Sequence, residues 1–149
     1  MKQSATVLLR ISSVLWIIWG LVHFLAGVLI MSGEATAGFQ AIADGVMPEI
    51  LEMGYPAAVG GVLNQHAWNL AWGGLVTIIG AVFIWRKNMT AIWVTAMIGG
   101  FLDLGYFIFI DLGGFNLFVP GTIMTIISSL AIILSFIVWF PARGASSAS

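Results

Sequence analysis

The sequence has no cysteine, which excludes disulfides, iron–sulfur clusters, thiolate zinc sites and cysteine nucleophiles together and leaves the redox compartment unreadable. Any metal would need His, carboxylate or carbonyl ligands. Charge is nearly as scarce: 7% of the 149 residues are Asp, Glu, Lys or Arg, five basic against six acidic, for a net charge of −1. No basic surface exists that could neutralise a run of phosphates, so nucleic acid is not expected as a partner. What fills the chain instead is apolar. Hydrophobic residues make up 60% of it, well above the range of soluble globular domains. The lipid bilayer is the expected surroundings.

A helix needs about 20 apolar residues to cross hydrocarbon, and four segments meet that length. The spacing predicts spans at about 7–31, 57–85, 89–111 and 117–140, forming one four-span membrane domain over 1–149. Val7 to Met31 is too long for a signal-peptide core and has no A-x-A cleavage site, so it reads as a span. The charged turn Arg86-Lys87-Asn88 closes the second span at the water interface. Gly113, Gly114, Asn116 and Pro120 mark a turn by their backbone preferences, and Pro141 is expected to stop the fourth span. Residues 142–149, rich in Gly, Ala and Ser, are expected to be a disordered tail.

Lys2, Arg10, Arg86, Lys87 and Arg143 all fall on the side that holds the termini and the turn between spans two and three. Basic residues are retained on the cytoplasmic side, which places both termini there. The expected fold is therefore an all-α integral membrane protein, an antiparallel four-transmembrane-helix bundle, in the inner (cytoplasmic) cell membrane. Its outer segment from Ser32 to Pro56 carries Glu34, Asp44, Glu49 and Glu52. Phe39, Ile42, Val46, Ile50, Leu51 and Met53 are spaced for one or two short amphipathic helices, the second starting at Pro48. Such a segment suits either a lid or a substrate gate.

Paired glycines at 60/61, 73/74, 99/100 and 113/114 do not align into a repeat and are better explained by close helix contact. Polar side chains within the spans carry more information, because hydrocarbon rewards them only when they are paired or solvated. Span one has His23, with Trp16, Trp19, Gly20 and Gly27 on its stripe. Span two has Asn64, Gln65, His66 and Asn69, then Trp72 and Gly73; span three has Asp103, with Tyr106 a turn later. At ~1.5 Å of rise per residue, His23, His66 and Asp103 lie ~12 to 17 Å from their outer ends, near one level. The candidate binding site is therefore His23, Gln65, His66, Asn69 and Asp103, with Trp19, Trp72 and Tyr106 at its approach. Trp85, Trp93 and Trp139 suit an interfacial belt. The alternative is that these groups only hold spans one to three together by hydrogen bonds.

Four functions are compatible with this cluster. A carboxylate facing two imidazoles can exchange protons, which suits binding or transport of a small molecule or of protons without a cofactor. His23 and His66 on neighbouring helices are alternatively the axial ligands of one b-type haem, or part of a quinone redox site. A His–Asp pair is also an acid and base for an enzyme acting on a lipid-soluble substrate, although no nucleophile motif accompanies it. Small-residue faces, finally, suit a homo-oligomer or an accessory subunit of a larger membrane complex. The first reading is the leading expectation, with Asp103 titrating.

Overall fold

A computed structural model describes residues 3–146. Of the positions used in the sequence reading, Lys2, the side chain of Arg143 and residues 147–149 lie outside the described residues. Within them every regular element is helical: α1 (Gln3–Ser32), α2 (Ala35–Ile42), α3 (Pro48–Leu51), α4 (Ala57–Trp85), α5 (Met89–Tyr106) and α6 (Ile123–Ser146). Four helical segments are long and apolar enough to cross a membrane, Gln3–Ser32, Ala57–Trp85, Met89–Asp111 and Phe118–Ala142. The segment between α1 and α4 holds the two short helices expected, and Pro48 occupies the first turn of α3, where its missing N–H is not needed.

Local chemistry sets the helix ends. The Asn88 carboxamide oxygen accepts from the backbone N–H groups of Thr90 and Ala91 at 3.0 and 3.2 Å, capping α5. At its other end α5 widens into a π-helical turn over Phe107–Asp111, where the Leu112 N–H reaches the Phe107 carbonyl at 2.9 Å. Residues 118–122 re-enter the fourth span through extended backbone at Val119, the residue before Pro120.

The fourth span departs from expectation at its end. Pro141 does not stop it, and α6 continues through Pro141 to Ser146, so 142–146 are helical and not part of a disordered tail. A proline removes one N–H and crowds the preceding turn, but its fixed φ is itself compatible with helix.

Glycine sets the contact between α1 and α4. A Cβ on Gly20 would sit 2.6 Å from the Gly74 carbonyl oxygen, and one on Gly74 would sit 2.5 Å from the Gly20 carbonyl. The backbones touch here, which in lipid substitutes packing for a hydrophobic driving force. Farther along, Gly27 meets Ala67 and Ala71, and at the opposite end the Arg10 guanidinium lies 5.1 Å from the Trp85 ring centroid. These pairings run in opposite directions along the two helices, so α1 and α4 are antiparallel.

The same contact turns α4 about its axis. Ala67, Ala71 and Gly74 face α1, while Gly73 meets Leu102 of α5. Away from the outer segment the core is closed by Leu9, Trp16, Ala81, Ile84, Ile92, Ala131 and Val138, and the Ser12 hydroxyl ties α1 to the Ala131 carbonyl at 2.8 Å. Trp139 belongs to this core. It is 8% exposed, packed edge-on to Trp93 at 5.3 Å.

Candidate functional site

A cavity of ≈ 100 Å³ lies among α1, α4, α5 and the start of the fourth span, with α2 and Asp44 along one side. His23, His66, Asp103 and Tyr106 all line it. Four polar residues separated in sequence by 43, 37 and 3 positions thus line one space.

Its deep end is built on α1. Trp19 is 0% exposed and Asp103 4%, and the indole Nε1–H donates to Asp103 Oδ2 at 2.7 Å. The i+4 spacing stacks the His23 ring on the Trp19 ring, with centroids 3.7 Å apart and planes 18° from parallel. It also brings His23 Nδ1 within 2.8 Å of the Trp19 carbonyl oxygen. A carbonyl can only accept, so Nδ1 carries the hydrogen and this tautomer is fixed. His23 Nε2 is thereby left facing Asp103 Oδ1 at 3.7 Å, an ion-pair distance rather than a hydrogen bond.

Three of the candidate residues take other positions or partners. Gln65 is exposed on α4. Asn69 and Trp72 bond to each other, Nε1–H to Oδ1 at 3.2 Å, and Trp72 is 41% exposed. None of these three lines the cavity, because the Ala67–Ala71–Gly74 stripe faces α1 and turns them outward. His66, on the α4 face next to that stripe, does line it and makes no hydrogen bond to another described residue.

The outer wall is clipped to the turn between the third and fourth spans. Asp44 Oδ1 accepts from the Leu117 N–H at 2.7 Å, and the Gly45 N–H donates to the Phe115 carbonyl at 2.9 Å. A side chain at residue 45 would collide with the Asn116 backbone. Below the turn, the Asp111 carboxylate accepts from Asn116 Nδ2, from Thr122 Oγ1 at 2.8 Å and from Thr125 Oγ1 at 3.3 Å. The sequence reading missed both features, since Asp44 and Leu117 are 73 residues apart and neither forms a pattern.

Asp103 has a second neighbourhood. A cavity of ≈ 210 Å³ between α5 and the fourth span is lined by Asp103, Thr125, Ser128 and Ser129 among others, so the carboxyl forms part of two cavities. Toward the Arg10 end the packing closes: Trp16 fills the space against Gly99, and Thr77 and Ser13 spend their hydroxyls on the Gly74 and Leu9 carbonyls at 2.8 Å each. Among the described residues no group of three His, Cys, Asp or Glu is placed to hold a metal ion.

Comparison with family models, curated proteins and solved structures found no match.

Proposed function

We propose that this chain is a multi-pass protein of the inner (cytoplasmic) membrane that binds a small solute from the outer side in a cavity where His23 and Asp103 share one exchangeable proton. One observation carries this reading: the carboxyl is flanked by an indole donor on Oδ2 and by an imidazole nitrogen on Oδ1. With Nδ1 committed to the Trp19 carbonyl, Nε2 is the only ring nitrogen left to exchange. An ionised carboxylate in this apolar setting needs a nearby positive charge. A proton on Nε2 supplies one, and a proton on Asp103 removes the need for one.

The orientation has charge support. Arg10, Arg86 and Lys87 belong to the end opposite Glu34, Asp44, Glu49 and Glu52, which favours the latter group outside. The cavity reaches Asp44 on that outer side, whereas Trp16 closes the path inward. Passage across the membrane would therefore require the α1–α5 contact at Trp16 and Gly99 to open, with Asp103 reachable from its second cavity.

The geometry favours this over haem ligation. The His23 ring is stacked on Trp19 and its Nε2 faces a carboxylate, and ≈ 100 Å³ is less than the roughly 150 Å³ cavity that holds benzene.

Infrared difference spectra between acid and neutral conditions, recorded on the full chain in nanodiscs, test the reading. The carboxyl band that is lost in Asp103→Asn should also be lost or shifted in His23→Gln, because the proton belongs to the pair. That band remaining unshifted in His23→Gln contradicts it.

A further inference from the structure

The ligand class can be argued from what the cavity offers. None of its lining residues is Lys or Arg, and a carboxylate stands at each end, Asp103 deep and Asp44 outside. Tyr106 between them lies in the electrostatic field of Asp44, Asp103 and Asp111 together. Among the described residues the cationic side chains are remote from it: Arg10 lies beside Trp85 at the end of α4, and Arg86 and Lys87 follow that end, with the Trp16 core in between.

The cavity is also rich in acceptors and poor in donors. The Trp19 N–H is committed to Asp103, and the Leu117 N–H to Asp44 Oδ1. Once the shared proton leaves, Asp103 Oδ1 and His23 Nε2 both point acceptor lone pairs inward. Asp44 adds a second carboxylate, while the Tyr106 hydroxyl and the neutral His66 ring each offer one acceptor together with one uncharged donor. An anion would find no free charge-assisted donor, and a neutral alcohol would leave the carboxylate charge unmet. Size narrows the choice further, since ≈ 100 Å³ is below a roughly 150 Å³ benzene-sized space.

Resting on the binding-site reading above, we propose that the cavity takes a small protonated amine, ammonium or a short primary alkylammonium, in exchange for the proton of the His23–Asp103 pair. The proton departs to water at the outer mouth and the ammonium keeps its own hydrogens, so one positive charge replaces another and the site's net charge is unchanged. The groups facing the pair are His66 from α4, Tyr106 from α5, Asp44 from the outer segment and Asp111 at the turn; α6 contributes no titratable side chain to this wall.

The test uses the full chain in nanodiscs, titrated with methylammonium chloride in weak buffer, with calorimetry and a pH dye read together. Saturable heat with release of up to one proton per chain is expected. Asp44→Asn, which leaves the pair intact, should weaken binding about tenfold, and Asp103→Asn should abolish proton release. Tetramethylammonium, which has no N–H donor, should bind at least about tenfold more weakly. Methanol or acetate matching methylammonium overturns the inference, and so does binding without proton release. If the infrared signal of the pair is present but methylammonium produces neither heat nor protons, the ligand class falls while the site reading stands.

Discussion

The Trp19 indole and the Asp103 carboxyl, 84 residues apart, meet through a 2.7 Å hydrogen bond in which both partners are buried. That bond fixes the rotation of α1 against α5 and leaves one carboxyl oxygen for His23. Removing the indole donor leaves the Ser128 hydroxyl as the carboxyl's remaining side-chain donor. Trp19→Phe, which keeps an aromatic face for His23, should cost about 1–3 kcal/mol in a denaturation series in mixed micelles. Asp103→Asn in the Trp19→Phe background should cost less than Asp103→Asn alone, because the two share the bond.

Stacking makes Trp19 a reporter of its neighbour. An imidazolium at 3.7 Å from an indole quenches its emission, so fluorescence should fall as the pH falls. The acid-dependent component should be missing in Trp19→Phe and His23→Gln, while total emission in His23→Gln stays pH-independent over the same range. Equal quenching in native protein and His23→Gln would remove His23 from the account.

The α1–α4 contact leaves no room for a methyl group. Gly20→Ala and Gly74→Ala should each destabilise by about 1–3 kcal/mol, since backbone would have to move. Gly61→Ala, where an added Cβ has nothing within 4 Å, should be neutral or stabilising by up to about 1 kcal/mol. Thermal melts of the three variants in one detergent make the comparison.

Asp44 and Gly45 hold the segment between α1 and α4 to the Phe115–Leu117 turn. Asp44→Ala should speed amide exchange at Leu117 by about tenfold, and Gly45→Ala should speed it across residues 115–117. Exchange mass spectrometry resolves both. Asn69→Ala, on the outward face of α4, should leave that exchange unchanged and shift stability by no more than about 0.5 kcal/mol beyond its lost bond to Trp72.

Helix positions were legible in the sequence because span length, turn residues and charge each mark them locally. The convergence of His23, His66 and Asp103 was legible as a common depth, since rise per residue is constant along a helix. Rotation about the helix axis was not. The sequence offers Gln65, Asn69 and Trp72 as plausibly as His66, and only the α4 stripe in contact with α1 turns them out. Asp44 was hidden for another reason: a segment with no regular periodicity gives no sign of which side chain will reach back to a turn 73 residues away. Pro141 misled because one proline near a span's end does not by itself stop a helix.

The central claim is that His23 keeps a hydrogen on Nδ1 and exchanges one with Asp103 through Nε2. Nitrogen NMR of ¹⁵N-histidine-labelled chain in nanodiscs, followed across pH and assigned with His66→Gln, observes both ring nitrogens directly. The account predicts that Nδ1 of His23 stays protonated throughout, that Nε2 alone titrates, and that Asp103→Asn shifts that titration. A mixture of tautomers, or a titration untouched by Asp103→Asn, would contradict it.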